Sequence, residues 1–232
     1  ILNDIDIQFY DCTDPNYVSN IFDWENNRGT PVEKLDIIKN KILVKIPNDK
    51  KLEVYQTWET LKHKQHKCYK TTFNYGLKIF DVAIQLYNKK IVRKLDKDEA
   101  FKTITSSKNT YDELLKFFKI VENLFKIMDD ISSDKFGRLL NNCSRITFNW
   151  EGYMWLLLPI MYVNKTIDTK TIKLLTKWYF RNLGFKTRGL AQFCYSEKFI
   201  EISNEYLNDK NYDYYSNIKL CLKHSKDELI KD

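Results

Sequence analysis

Glycine and proline are scarce, six and four in 232 residues. So few chain breakers argue against a sandwich of many short turns and for long helices. Histidine is rarer still, with three residues. That is too few for the clustered ligands of a metal nuclease. The five cysteines, Cys12, Cys68, Cys143, Cys194 and Cys221, are odd in number, scattered and without a CxxC pair. They read as free thiols in a reducing, cytoplasmic setting rather than as a disulfide framework. There is no signal-peptide pattern. The longest apolar run, Met154 to Val163, contains Pro159 and falls short of the roughly 20 residues a membrane span needs. It is expected to be a buried helix. GxxxxGK[ST], GxSxG and GxGxxG are all missing. No Arg stands four to six residues before a His, as a HEPN-type ribonuclease would require.

What is present can build a core. Apolar residues are 43% of the chain and aromatics 15%, which excludes global disorder. The net charge of +7 is unevenly placed. Residues 1–30 hold six acids and one base, a net of −5, which leaves +12 on residues 31–232. A basic body is compatible with nucleic acid, although lysine also simply solvates surfaces.

Along the chain, the alternation Ile5-Asp6-Ile7-Gln8-Phe9-Tyr10 predicts one strand. A lone strand must pair with something else. Asp14-Pro15 opens a helix that Gly29 ends. Thr30-Pro31-Val32-Glu33 has the form of a capping box and starts a helix to about Val44, stopped by Pro47. Leu52, Tyr55, Trp58 and Leu61 mark the next apolar stripe, and Phe73, Leu77, Phe80, Ile84 and Leu86 another. Asp96 to Glu99 and Thr110 to Glu113 repeat the capping box. The second opens the clearest amphipathic helix, through Leu114, Phe117, Phe118, Val121, Leu124, Phe125, Met128 and Ile131. Ser133 to Asn142 is a shorter helix, and Trp150 to Val163 a core helix. Asp168 caps a helix through Trp178, and two more lie near 190–207 and 213–224. The expected fold is mainly α, a multi-helix bundle with a short N-terminal β-strand. The expected division is residues 1–46 (strand and helix–turn–helix), 47–95 (helical linker subdomain) and 96–232 (helical bundle), with Lys89 to Glu99 as the boundary between helical parts.

One segment carries more information. Phe22 to Asn40 reads FDWENNRGTPVEKLDIIKN. Physically it is helix, tight glycine turn and capped helix. Asn26, Asn27 and Arg28 stand near the free amides of the second helix, where an anion can be held. The plainer alternative is a corner whose polar residues only cap backbone groups.

The segment resembles the FxxxNxRGxPLxxxDxIKN signature of the N-terminal domain family of GmrSD-type restriction systems. It matches at Phe22, Asn26, Arg28, Gly29, Pro31, Leu35, Asp36, Ile38, Lys39 and Asn40, with Val32 in place of the usual Leu. Leu174 to Arg181 is similar to a later helix of that family. In such proteins a ParB/sulfiredoxin-like domain precedes a helical region. The resemblance implies nucleotide-dependent cutting of phage or modified DNA. It implies nucleotide or phosphate binding by Asn26, Arg28, Lys39 and Asn40. It also implies NTP and a divalent metal in the full-length protein, DNA as partner, and a nucleotide domain and nuclease domain or subunit outside this sequence. The family's Asp-Gly-Gln-Gln/His-Arg run and its HNH domain are not in this sequence. No catalytic residue and no cofactor of the chain's own are therefore expected.

Two other groups invite chemistry. His63, His66 and Cys68 approach zinc-ligand spacing, but the second pair is missing and Lys62, Lys64, Lys67 and Lys70 oppose a cation. No metal site is expected. Lys177, Arg181, Lys186 and Arg188, interleaved with Trp178, Tyr179, Phe180 and Phe185, are nucleic-acid contact candidates. The alternative there is an aromatic core with a basic rim. A non-catalytic helical module binding nucleic acid or a protein remains the second functional reading, and an oligomer is compatible with both.

Overall fold

A computed structural model describes residues 33–71, 79–140, 150–166, 168–183 and 190–228. Among them all regular structure is helical, so the chain is mainly α. The expected strand at 5–10 and the helix after Asp14 lie outside the described residues.

Helix α1 (Lys34–Lys45) starts later than its capping box suggests. Glu33, expected inside the helix, is the extended N-cap residue and makes no side-chain cap bond. Its carboxylate pairs with Lys62 instead. Leu35, Ile38 and Ile42 face inward. Ile46 turns extended ahead of Pro47, as the residue before a proline prefers.

In α2 (Asn48–Thr71) the expected stripe holds at Trp58 and Leu61 but not at Leu52 and Tyr55. Leu52 and Tyr55 are 66% and 45% exposed, and the inward face is Val54, Trp58, Leu61 and Gln65. The reason is geometric. Steps of three residues rotate a face by about 60° each on a helix of 3.6 residues per turn, whereas steps of four, three and four hold it steady.

Helix α3 (Ile79–Tyr87) is buried from Ile79 to Leu86 except at Asp81. Its polar needs are met internally. Gln65 Oε1 accepts from the first-turn amide of Phe80 at 3.1 Å. Buried Gln85 donates to the Asp81 carbonyl and accepts from the Val92 amide. Helix α4 (Lys97–Thr105) begins as expected, with Asp96 accepting from the amides of Asp98 and Glu99.

Helix α5 (Thr110–Ser133) buries every residue of the expected stripe, and Ile120 as well. Its capping box does not form. Thr110 is buried and donates to the Ser107 carbonyl, while Glu113 accepts from Tyr87 and Lys116. Trp58 sits at the centre of α2 to α5. Its ring lies 5.1 Å from Phe80, 6.3 Å from Phe101 and Phe117, and 6.1 Å from Phe118. Residues 135–140 are helical, with Asp134 accepting from the amides of Phe136 and Gly137.

The remaining helices are α6 (Trp150–Asn164), α7 (Thr169–Leu183), α8 (Leu190–Asn208) and α9 (Tyr214–Glu228). No helix among the described residues is long and apolar enough to cross a membrane. As expected, α6 is core: Leu156, Leu157, Leu158, Ile160 and Met161 are fully buried. Pro159 sits in its interior. A proline there cannot donate to the carbonyl four residues back, which belongs to Trp155. Buried Ser203 of α8 supplies the missing donor, Oγ to the Trp155 carbonyl at 2.7 Å. Removing it by Ser203→Ala should cost about 1–3 kcal/mol in chemical denaturation, the penalty of an orphaned buried carbonyl. In a Pro159→Ala background, where the helix regains its own donor, the same change should cost much less. Equal costs in both backgrounds would sink the account.

The two sets of helices meet through α5 and α6, and through the connection 88–96. That connection, expected as a boundary, is docked. Ile91 is buried, and Asn204 of α8 accepts from its amide at 2.7 Å and donates to its carbonyl at 2.9 Å. The buried core also runs without a break across positions 46/47 and 95/96.

Candidate functional site

Asn26 and Arg28 of the signature lie outside the described residues. So do Phe22, Gly29 and Pro31, while Leu35, Asp36, Ile38, Lys39 and Asn40 fall on α1. Leu35 and Ile38 belong to the core, so Asp36 and Lys39, one helical step to the side, face α2. They form a five-membered charge network with it. Lys62 Nζ lies 2.8 Å from Asp36 and 3.1 Å from Glu33. Lys39 Nζ lies 2.5 Å from Glu59 and 3.5 Å from Asp36, and 5.0 Å from the Tyr55 ring centroid. The side chains of Lys39 and Lys62 are only 11% and 15% exposed. Three carboxylates against two ammonium groups leave the cluster at −1. Lys39 is thus charge-matched within the protein, and phosphate would have to take the place of Glu59. Asn40 is half-buried and its side chain makes no hydrogen bond to another described residue.

Other lysines of α1 are committed to α4. Lys34 and Lys41 lie 3.1 and 3.7 Å from Asp98, and Lys45 donates to the Thr105 carbonyl at the C-terminus of α4. The hydrogen bond from Lys34 and the surrounding positive charge hold the Asp98 carboxyl below its ordinary range.

Burial alone would lower the pKa of Lys62, but hydrogen bonds to Asp36 and Glu33 outweigh it and hold the ammonium above its ordinary 10.5. A raised lysine pKa gives stability that is complete below the unfolded value and disappears as pH rises through the folded one. Lys62→Met should therefore cost about 1–2 kcal/mol near neutrality. Its deficit relative to wild type should shrink in denaturation series carried above pH 10.5. A constant deficit across that range would show that packing, not charge, is lost.

Of the nucleic-acid candidates, Lys177 is exposed and Trp178 packs half-buried against the core. The side chains of Arg181, Lys186 and Arg188 lie outside the described residues. The sequence reading missed Lys170 and Lys173, which are exposed on α7 at positions i and i+3 before Lys177 at i+7. Their i, i+3, i+7 spacing is legible in the sequence. The three lie on one face of the helix and span roughly 10 Å along it. Lys173 also covers the Phe136 ring at 4.5 Å.

No group of three or more His, Cys, Asp or Glu among the described residues is placed to hold a metal ion. His63 is exposed, while the side chains of His66 and Cys68 lie outside the described residues. Cys221 is a half-buried free thiol whose pKa burial pushes up, the opposite of an activated nucleophile. Comparison with known proteins found nothing: no family model, no curated protein and no solved structure matches the chain.

Proposed function

We propose that this chain is the helical portion of a GmrSD-like, nucleotide-dependent DNA endonuclease acting against phage or modified DNA, with the catalytic groups carried outside it. The observation that supports this reading is the fate of the signature segment. Its apolar positions, Leu35 and Ile38, enter the core of the bundle, and its charged pair, Asp36 and Lys39, fastens α1 to α2. A segment so anchored suits a coupling element: whatever happens at Asn26 and Arg28 is delivered to the helical body through α1. Asn40, on the same helix, has a side-chain amide without a hydrogen-bond partner among the described residues. In this reading Lys39 reaches phosphate only by exchanging Glu59 for it. The DNA is held by the basic face of α7, Lys170, Lys173 and Lys177, with Arg181, Lys186 and Arg188 continuing it in sequence.

The test is direct. The chain by itself should neither hydrolyse NTP nor nick modified DNA, yet should bind DNA with an affinity that falls steeply with salt. Turnover by the chain alone would overturn the division of labour proposed here. An open reading frame extending upstream into a Gly-Gln-Arg motif should restore hydrolysis.

The second reading, a non-catalytic module that binds a protein, is favoured by Leu52 and Tyr55, two large apolar side chains exposed on the outer face of α2. A frame without a nucleotide domain, combined with salt-insensitive or absent DNA binding, would select it.

A further inference from the structure

Where α7 and α9 begin and α8 ends, the surface opens into a cleft of about 330 Å³. One wall is built rigidly. Tyr206 and Tyr214 meet edge to face, with centroids 4.7 Å apart. Tyr214 donates to Asp168 at 2.8 Å, Tyr206 donates to Asn164, and the Asn164 amide reaches Tyr214 at 3.4 Å. Four helices therefore fix two rings in place. Tyr212 and Tyr215, both half-buried, complete the aromatic lining.

The charges decide what this lining suits. A cage of tyrosines with two aspartates invites a cation, but both carboxylates are committed. Asp168 accepts from the Thr171 amide, the Thr171 hydroxyl and Tyr214. Asp213 accepts from the Ser216 amide, which caps α9. The rim lysines are the reverse case. Lys170 and Lys210 line the opening, and among the described residues neither has an ion-pair partner. The lining is neutral overall, two carboxylates against two ammonium groups, but the carboxylates are turned to donors of the protein while the rim lysines are left to turn toward a ligand, and the surface between them is aromatic. Lys170 is also the first member of the basic row that continues through Lys173 and Lys177.

We infer that this cleft takes one unstacked nucleotide of a single-stranded stretch of nucleic acid, with the base against Tyr212 and Tyr215, the flanking phosphates on Lys170 and Lys210, and the strand continuing along α7. Its size lies at the low end of ligand sites, roughly 300–1,000 Å³, which accommodates one nucleotide rather than a run. Stacking on tyrosine is indifferent to base identity, so the site selects strandedness and not sequence. The inference rests on the DNA reading above for the strand along α7, and the cleft specifies which form of DNA is held there.

The experiment is fluorescence anisotropy of the whole chain with a labelled eight-nucleotide single strand and its blunt duplex, at two salt concentrations. The single strand should bind more tightly. Tyr215→Ala, which removes a ring outside the core, should weaken single-strand binding about tenfold, as loss of one stacked base does. It should leave duplex affinity and the thermal melting curve unchanged. Tyr212→Leu keeps the apolar packing and should act alike. Lys170→Gln should weaken both forms and lower the salt slope by about one. Binding of both DNA forms that ignores Tyr215→Ala and Tyr212→Leu would overturn the cleft while leaving the DNA reading intact. Absence of binding to either form would overturn both.

Discussion

Trp58→Ala should be the most destabilising single substitution in the N-terminal helices, costing about 3–5 kcal/mol. The indole is fully buried and touches rings from three other helices, Phe80 of α3, Phe101 of α4, and Phe117 and Phe118 of α5. Deleting it leaves a cavity that cannot collapse, because Phe101 and Phe117 already pack edge to face at 5.2 Å and Phe80 and Phe117 at 5.6 Å. The indole N–H is itself buried without a hydrogen-bond partner. Such a group costs stability wherever it is buried unpaired. Trp58→Phe, which removes the N–H and part of the volume, should therefore lose clearly less than Trp58→Ala. Urea denaturation of the three proteins measures this. Equal losses for Phe and Ala would mean that shape complementarity around the indole outweighs both volume and the unpaired donor.

Asn204→Ala should cost about 2–4 kcal/mol, from two backbone groups of buried Ile91 left without partners. The side-chain amide copies the peptide group that a neighbouring strand would have offered, donating and accepting at once. Asn204→Asp keeps the acceptor for the Ile91 amide and loses the donor to its carbonyl. It should fall between wild type and alanine near neutral pH. Because the clamp joins the 88–96 connection to α8, hydrogen exchange at the Ile91 amide should rise in both variants. The central amides of α5 should not change relative to global stability. Exchange rising uniformly throughout would show that Asn204 supports the whole molecule rather than this junction.

Much of the fold was legible. The stripe from Leu114 to Ile131 keeps one face over about five turns, so its burial follows from period alone. Asp96 and Asp168 announce helix starts because the cap is a local bond within three residues. The all-apolar run around Pro159 could only be core. Thr110 misled because the rule sees a hydroxyl followed by Glu113 but not that tertiary packing buries Thr110 and recruits Glu113 to Tyr87. The stripe on α2 misled because Leu52, Tyr55, Trp58 and Leu61 are spaced by threes, and only Trp58 and Leu61 lie on the face the bundle covers.

The candidate sites show the same division more sharply. The signature residues could be picked out by order in the chain. That Lys39 faces Glu59, and Lys62 faces Asp36, depends on how α1 crosses α2, across 20 and 26 residues of sequence. The tyrosine cleft had no sequence signal, since its walls come from positions 168 to 215, on the start of α7, the end of α8, the start of α9 and the loop between the last two.

The sequence by itself determined that this is a helical chain, where most helices begin and end, and which of them is wholly apolar. Those properties depend on neighbours within a turn or two. Only the tertiary structure decided how the exceptions are satisfied: Ser203 for the carbonyl freed by Pro159, Asn204 for Ile91, and Glu59 for Lys39. These pairs are 48, 113 and 20 residues apart. Burial makes an unpaired polar group costly, and the packing of helices, not their periodicity, settles which distant side chain can reach it.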